Sequence, residues 1–182
     1  MKQYPVFLLL AFLFISCAAS VPYATDYPLT DQIFQSRDGM FSGKIPRGWF
    51  SSTDDSLGSA LNALLIKEDF SATLTLKELK LDRTAAEQVR KQGLPLLARL
   101  GSLFRHDIAL NGELKTTEFE LKGKKFCSYE QSSRERAGRV IVFVSKGKYY
   151  ECEVKPAKGQ WSAEEMKRMF TMQQTVLASL RD

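Results

Sequence analysis

Downstream of residue 35 the apolar positions recur with two different periods, and the switches between them divide the chain into elements. Met40–Ile45 reads as a short strand closed by Pro46. Arg47-Gly48-Trp49-Phe50 follows, then a polar loop from Ser51 to Ser59 that contains Asp54 and Asp55. Ala60–Lys67 is apolar and reads as a second strand. Ala72, Leu74 and Leu76 then alternate with Thr73, Thr75 and Lys77, the period of a half-buried strand, so a hairpin is expected near Glu68-Asp69. From Thr84 the period lengthens. Ala86, Val89, Leu96, Leu97, Leu100, Leu103 and Phe104 fall on one helical stripe, and Thr84 with Glu87 has the capping-box spacing. Gly93 and Pro95 interrupt the stripe. A proline inside a helix costs about 3 kcal/mol, yet the stripe stays in phase, which predicts one kinked helix or two nearly coaxial ones. Four strands follow, roughly Glu113–Leu121, Phe126–Ser132, Arg139–Ser145 and Lys148–Lys155. They are joined by connections of hairpin length that supply glycine. A last helix opens at Ser162 with Glu165 in a second capping box, and Trp161 and Met166 form a staple across it.

One segment sets the architecture. Val140-Ile141-Val142-Phe143-Val144 is apolar at every position. Strand side chains alternate between faces, so an unbroken apolar run has to be covered on both. The expected fold is therefore α+β: a three-layer α/β/α sandwich with a largely antiparallel sheet, one mid-chain helix and one C-terminal helix. Residues 35–182 form a single globular domain.

The chain start is different. Lys2 precedes the apolar run Val6–Ile15, which ends at Ser16-Cys17. A positive start, a short apolar segment and a small residue at the exit make a secretory signal. The run falls short of the roughly 20 residues a membrane span needs. Phe14-Ile-Ser-Cys17 resembles the bacterial lipoprotein signal. That resemblance implies cleavage after residue 16, a diacylglyceryl group on the Cys17 thiol and acylation (palmitate or similar) of the new amino terminus. Several chains anchor stably where one does not. Ala18, in place of an aspartate, implies the outer membrane and its periplasmic face. The alternative is an ordinary signal cut after Ala19 or Ala24, with Cys17 discarded. Residues 17–34 carry prolines at 22 and 28 and read as the lipidated end and a tether.

Composition narrows the function classes. Of 182 residues, 44% are hydrophobic and 26% charged, and the formal charge is +5. Without Lys2 the excess is four, which gives no ground for nucleic acid. No catalytic residues assemble. His106 stands alone beside Arg105 and Asp107, without a serine or cysteine motif. Asp54, Asp55, Asp69 and Asp82 lack the spacing of a calcium loop, and no metal or cofactor site is expected. Cys127 and Cys152 fall on strands separated by a third, about 10 Å apart at closest, beyond the reach of a disulfide. Hairpin pairing sets Cys127 opposite Val144 and Cys152 opposite Ile141. Both are expected as buried free thiols on opposite faces. The turns at Lys122–Lys125 and Lys146-Gly147 emerge at the same sheet end, which gathers Lys122, Lys124, Lys125, Lys146 and Lys148 on one rim. That rim suits an anionic headgroup, a lipopolysaccharide phosphate or an acidic protein. It is equally what a sheet uses to discourage edge pairing.

Phe41-Ser-Gly-Lys-Ile-Pro-Arg-Gly-Trp49, Lys148-Tyr-Tyr-Glu-Cys-Glu-Val154 and the terminal Thr175-Val-Leu-Ala-Ser-Leu180 together resemble the PsbP-like family. The family includes bacterial lipoproteins related to DcrB, and the resemblance spans about residues 35–181. It implies the sandwich fold and a non-catalytic accessory or binding role, with a protein partner or an anionic envelope component. The alternatives left open are an envelope enzyme with an unrecognised site and a structural subunit of an envelope complex.

Overall fold

The computed structural model describes residues 23–52, 60–105, 114–132 and 137–182. Cys17, Asp54, Asp55 and His106 lie outside them. The chain forms β1 (Leu29–Gln35), β2 (Ser42–Pro46), β3 (Trp49–Ser52), β4 (Leu61–Lys67), β5 (Ala72–Glu78), α1 (Arg83–Gln92), α2 (Leu94–Phe104), β6 (Thr116–Leu121), β7 (Lys124–Ser132), β8 (Ala137–Ser145), β9 (Lys148–Pro156) and α3 (Ala163–Ser179). Seven strands make one antiparallel sheet in the order β3-β4-β5-β9-β8-β7-β6.

Both faces of this sheet are covered. Leu74, Leu76, Ile141, Phe143, Tyr150 and Cys152 pack under α3, against Met172, Val176 and Leu177. Val140, Val142, Cys127 and Tyr129 pack under α1 and α2, against Val89 and Leu97. Strand β8 supplies both layers from adjacent residues, as its unbroken apolar run requires. Register across the α3 face is held by a row of aromatics. Phe119 pairs with Phe126, Phe126 with Phe143, and Phe143 with Tyr150. Their ring centroids are 5.5, 5.7 and 5.4 Å apart. Such cross-strand pairs are the unit of sheet stabilisation. Tyr23 extends the row by stacking on Phe119 at 4.1 Å.

Several expectations are corrected. The mid-chain helix is two helices. Gly93, at φ +82, closes α1 by donating its N–H to the Val89 carbonyl, and Pro95 sits in the first turn of α2. A proline there sacrifices no hydrogen bond, since that N–H would be an orphan. The cap of α1 is Asp82, whose Oδ1 accepts from the Ala85 N–H at 2.7 Å. Asp82 rather than Thr84 takes the role because a carboxylate caps as well and also complements the helix dipole. The second capping box, Ser162 with Glu165, forms as read.

The expected tether is also shorter. Tyr27 is buried, its N–H donates to Thr175 Oγ1 at 3.3 Å, and β1 pairs with β2. This two-stranded ribbon lies over the C-terminal half of α3. Gly43 passes so close that a β-carbon there would stand 2.7 Å from the Phe34 ring and 2.9 Å from Leu180 Cδ2. The β1 sequence hides this, since Phe34 is its one buried residue. Cys127 pairs with Val142 rather than Val144, because β8 begins at Ala137 and the β7–β8 connection is four residues. A shift of two leaves the faces unchanged. Cys127 lies under α1 and α2, Cys152 lies under α3 opposite Ile141, and both are free.

Candidate functional site

The two short turns at one end of the sheet share a sequence and a geometry. Lys122-Gly123 joins β6 to β7, and Lys146-Gly147 joins β8 to β9. The φ angles are +50 and +80° in the first turn and +46 and +78° in the second. Positive φ at both central positions is the two-residue hairpin turn that matches strand twist, and it ordinarily takes Asn-Gly or Gly-Gly. Lysine has no local hydrogen bond to offset the clash of its β-carbon in the left-handed region. Phe70 takes the same region at φ +57° in the β4–β5 turn, and the two turns at this end both place a lysine there.

The structure brings all five anticipated lysines to this end, but it does not put them on one face. Lys124 and Lys148 turn to the α3 side and are neutralised there. Lys124 Nζ lies 2.9 Å from Asp182 Oδ2, and Asp182 also accepts from Ser145 Oγ at 2.6 Å. Lys148 Nζ lies 3.1 Å from Asp38 and 3.5 Å from Glu78. Asp38 further accepts from the Tyr150 hydroxyl at 2.9 Å and the Met40 N–H at 3.1 Å. Burial pushes the Asp38 carboxyl up, but hydrogen bonds from Ser36, Met40, Tyr150 and Lys148 outweigh it and hold it below the usual range. Asp182 is likewise held low: burial raises it, and Lys124 and Ser145 more than compensate. Burial, then the Asp38 hydrogen bond, drives the Tyr150 phenol upward.

Lys125 points the other way, onto the α1/α2 side, one residue out of phase with Lys124. There it borders a groove of about 520 Å³. Val89, Leu94, Val144 and Tyr149 supply its apolar lining, with Arg90, Lys125, Lys146 and the Lys124–Asp182 ion pair at its rim, whereas Lys122 lines a separate cleft with Lys44 and Arg181. The groove exists because the α1–α2 break falls here: Gly93 lines it and carries no side chain to fill it. Val144, expected to be covered, is 44% exposed for the same reason. Among the described residues Arg90, Lys122 and Lys125 make no ion pair. Glu120 faces Lys125 across the β6–β7 pair. The arrangement suits an anion carrying an apolar portion. Sequence reading found the lysines through their turns. It missed Val89, Arg90, Leu94 and Tyr149, which lie far away in the chain, although Val144 next to a turn was a usable signal.

A second charged cluster lies on the same face, further along β9. Arg105, which caps the C-terminus of α2, pairs through Nη2 with Glu151 and through Nη1 with Glu153 at 3.0 Å; Lys155 lies 3.7 Å from Glu153. Burial raises the Glu151 carboxyl despite the Arg105 charge. Burial lowers the Arg105 guanidinium, but the two glutamates more than reverse it. This is a closed ion network tying α2 to the sheet. The thiols are equally inert: burial pushes Cys127 up to about 11 and Cys152 to about 12, so neither forms a thiolate near neutral pH. Among the described residues no cluster of three or more ligand side chains could hold a metal, and no helix is long and apolar enough to cross a membrane.

The fold has solved counterparts. The chain superposes on cyanobacterial PsbP (CyanoP) from Synechocystis sp. PCC 6803 with a TM-score of 0.51 at 11% identity, covering 82% of this chain and 91% of that one. It superposes on the Saccharomyces cerevisiae Ran-binding protein Mog1p with a TM-score of 0.52 at 9% identity, covering 84% and 95%. No protein-family model and no curated protein matches the sequence. The domain has the PsbP-like fold, as its strand and helix order suggested, with three helices where two were expected.

Proposed function

We propose that this protein is a non-catalytic binding protein of the bacterial cell envelope, lipid-anchored through Cys17 at the periplasmic face of the outer membrane, and that its basic end is the binding face. The observation that carries the reading is the groove at the lysine turns. An apolar floor is left open between α1, α2 and the sheet, and Arg90, Lys125 and Lys146 line it, with Lys122 in the adjoining turn. Exposed apolar surface rimmed by charge marks interaction sites. The fold is compatible with such a role, since the yeast protein sharing it is a Ran-binding protein. The anchor rests on the Phe14–Cys17 signature. The charged cluster at Arg105 adds stability rather than chemistry, because its carboxylates are already paired.

The test is capture of partners by the intact acylated protein after mild crosslinking, compared with a Lys122→Glu/Lys125→Glu/Lys146→Glu variant. Binding through the basic end predicts that the crosslinked species disappear from the variant while its circular dichroism is unchanged. An identical set of species from both proteins would refute the assignment. Mass spectrometry of the mature chain checks the anchor separately. The expected mass is that of residues 17–182 plus a diacylglyceryl group and one acyl chain.

A further inference from the structure

The basic end lies within reach of the amino-terminal anchor. Tyr23 stacks on Phe119 at 4.1 Å. Phe119 precedes Lys122 by three residues on β6, about 10 Å along a strand. Six residues separate Cys17 from Tyr23 and span at most about 20 Å. An acylated Cys17 therefore reaches a membrane plane at the lysine turns with slack. Along β6 the opposite end, at Thr116, is also three residues from Phe119, whereas along β9 the sheet runs six residues, about 20 Å, from the Phe143–Tyr150 row to Pro156.

The chemistry of the near end suits a lipid surface better than a shaped protein. Its tips are Lys-Gly turns: around Gly123 and Gly147 the space where a side chain would stand is open, so the backbone can approach a plane closely. Of the three cations at this end that make no ion pair among the described residues, Lys122 and Lys125 are lysines, whose flexible stems follow headgroups, and only Arg90 is an arginine fork that demands one geometry. Of the acidic groups at this end, Asp38, Glu78 and Asp182 are paired with lysines of the α3 side, and Glu120 stands opposite Lys125. Val144 stands beside the turn, exposed and ready to meet the acyl boundary. We infer that the groove at the Lys122 and Lys146 turns receives the phosphate-bearing headgroup of an anionic phospholipid from the bilayer that holds the chain's own anchor. The domain then sits with its sheet end against the membrane. This deepens the proposed function and rests on the Cys17 anchor.

The test uses the acylated chain inserted into vesicles by its anchor. A fluorophore is placed at Val144→Cys, or at Ser71→Cys on the far end; the buried Cys127 and Cys152 escape labelling. Doxyl-labelled phosphatidylcholine is the quencher. The expected result is quenching at position 144 and not at 71 when the vesicles contain phosphatidylglycerol. A Lys122→Gln/Lys125→Gln/Lys146→Gln variant should reverse it. At about fivefold per lysine near an anionic surface, the ratio of docked to undocked protein falls about a hundredfold. Equal quenching at 144 and 71, quenching that persists in pure phosphatidylcholine, or indifference to the lysine substitutions would overturn the inference. So would a label at 144 that responds to inorganic phosphate but not to vesicles, which would make the ligand a free anion. If crosslinked partners still depend on the lysines while position 144 stays in water, the binding reading survives and the lipid assignment falls. A mature chain without acyl groups overturns the anchor and this orientation together.

Discussion

Replacing the two turn lysines by asparagine should strengthen the fold and weaken the function. Lys122 and Lys146 hold φ angles of +50 and +46°. An L-residue with a β-carbon pays about 1–2 kcal/mol in that region, and asparagine, which can hydrogen-bond locally, avoids much of it. Each Lys→Asn change is thus expected to stabilise by about 1 kcal/mol, and the pair by about 2, because the turns are separate hairpins with no shared partner. With a urea m-value of about 2 kcal/mol/M, the double variant should shift the unfolding midpoint up by about 1 M. Urea denaturation followed by the fluorescence of Trp49 and Trp161 reads this directly. Lys125→Asn is the control. Lys125 lies within β7, outside the positive-φ set, so its loss removes the same charge without relieving strain and yields no gain. Docking onto anionic vesicles should fall about 25-fold for the double variant, from about fivefold per lysine. A double variant that is less stable than the parent would refute the strain argument. One that is more stable and docks equally well would refute the reason given for keeping lysine there.

Other outcomes follow from the same structure. Arg105→Met leaves Glu151 and Glu153 buried without their main counter-charge, which should cost about 3–5 kcal/mol. Because burial already raises the Glu151 carboxyl, that loss should grow as pH rises from 4 to 7 and shrink in acid, measured by denaturation across that range. Asp38 and Asp182 behave in the opposite sense. Both are held below the ordinary 3.8, so the stability they contribute is fully present above that value and is lost as pH falls through their lower folded values. Amide protection around Lys148 and Tyr150 should therefore fade below about pH 3.8, and in Asp38→Asn that acid-dependent step should be absent. Thiol titration of the mature, unreduced protein should find no reactive group when folded and two when unfolded. Three would mean an unmodified Cys17 and none a disulfide.

Periodicity carried much of the fold. The alternation of Ala72–Lys77, the Ser162–Glu165 cap and the unbroken run Val140–Phe143 are local or nearest-neighbour properties, and each produced its element where expected. Strand β1 was illegible because Leu29–Gln35 buries a single side chain and is a strand by virtue of the ladder that β2 offers. The two helices were half legible. Gly93 and Pro95 marked the interruption, but whether the chain bends or breaks there depends on what the following turn packs against. The candidate site divides in the same way. The lysine turns were readable, since hairpin length and glycine fix which end of the sheet they occupy. Their partners were not. Asp38 lies 110 residues from Lys148 and Asp182 58 from Lys124, and sequence has no term for such encounters.

The amino-acid sequence alone thus determined the layers of this protein, the end of the sheet where its lysines gather, and the faces of Cys127 and Cys152. All of these follow from a strand period of two and short connections. Tertiary structure alone decided which lysines are spent on ion pairs and which remain, and that a break between two helices leaves Val144 uncovered beside them. The reason is physical. Side-chain alternation is set by backbone geometry within one element, whereas a groove is the space that separately folded elements fail to fill.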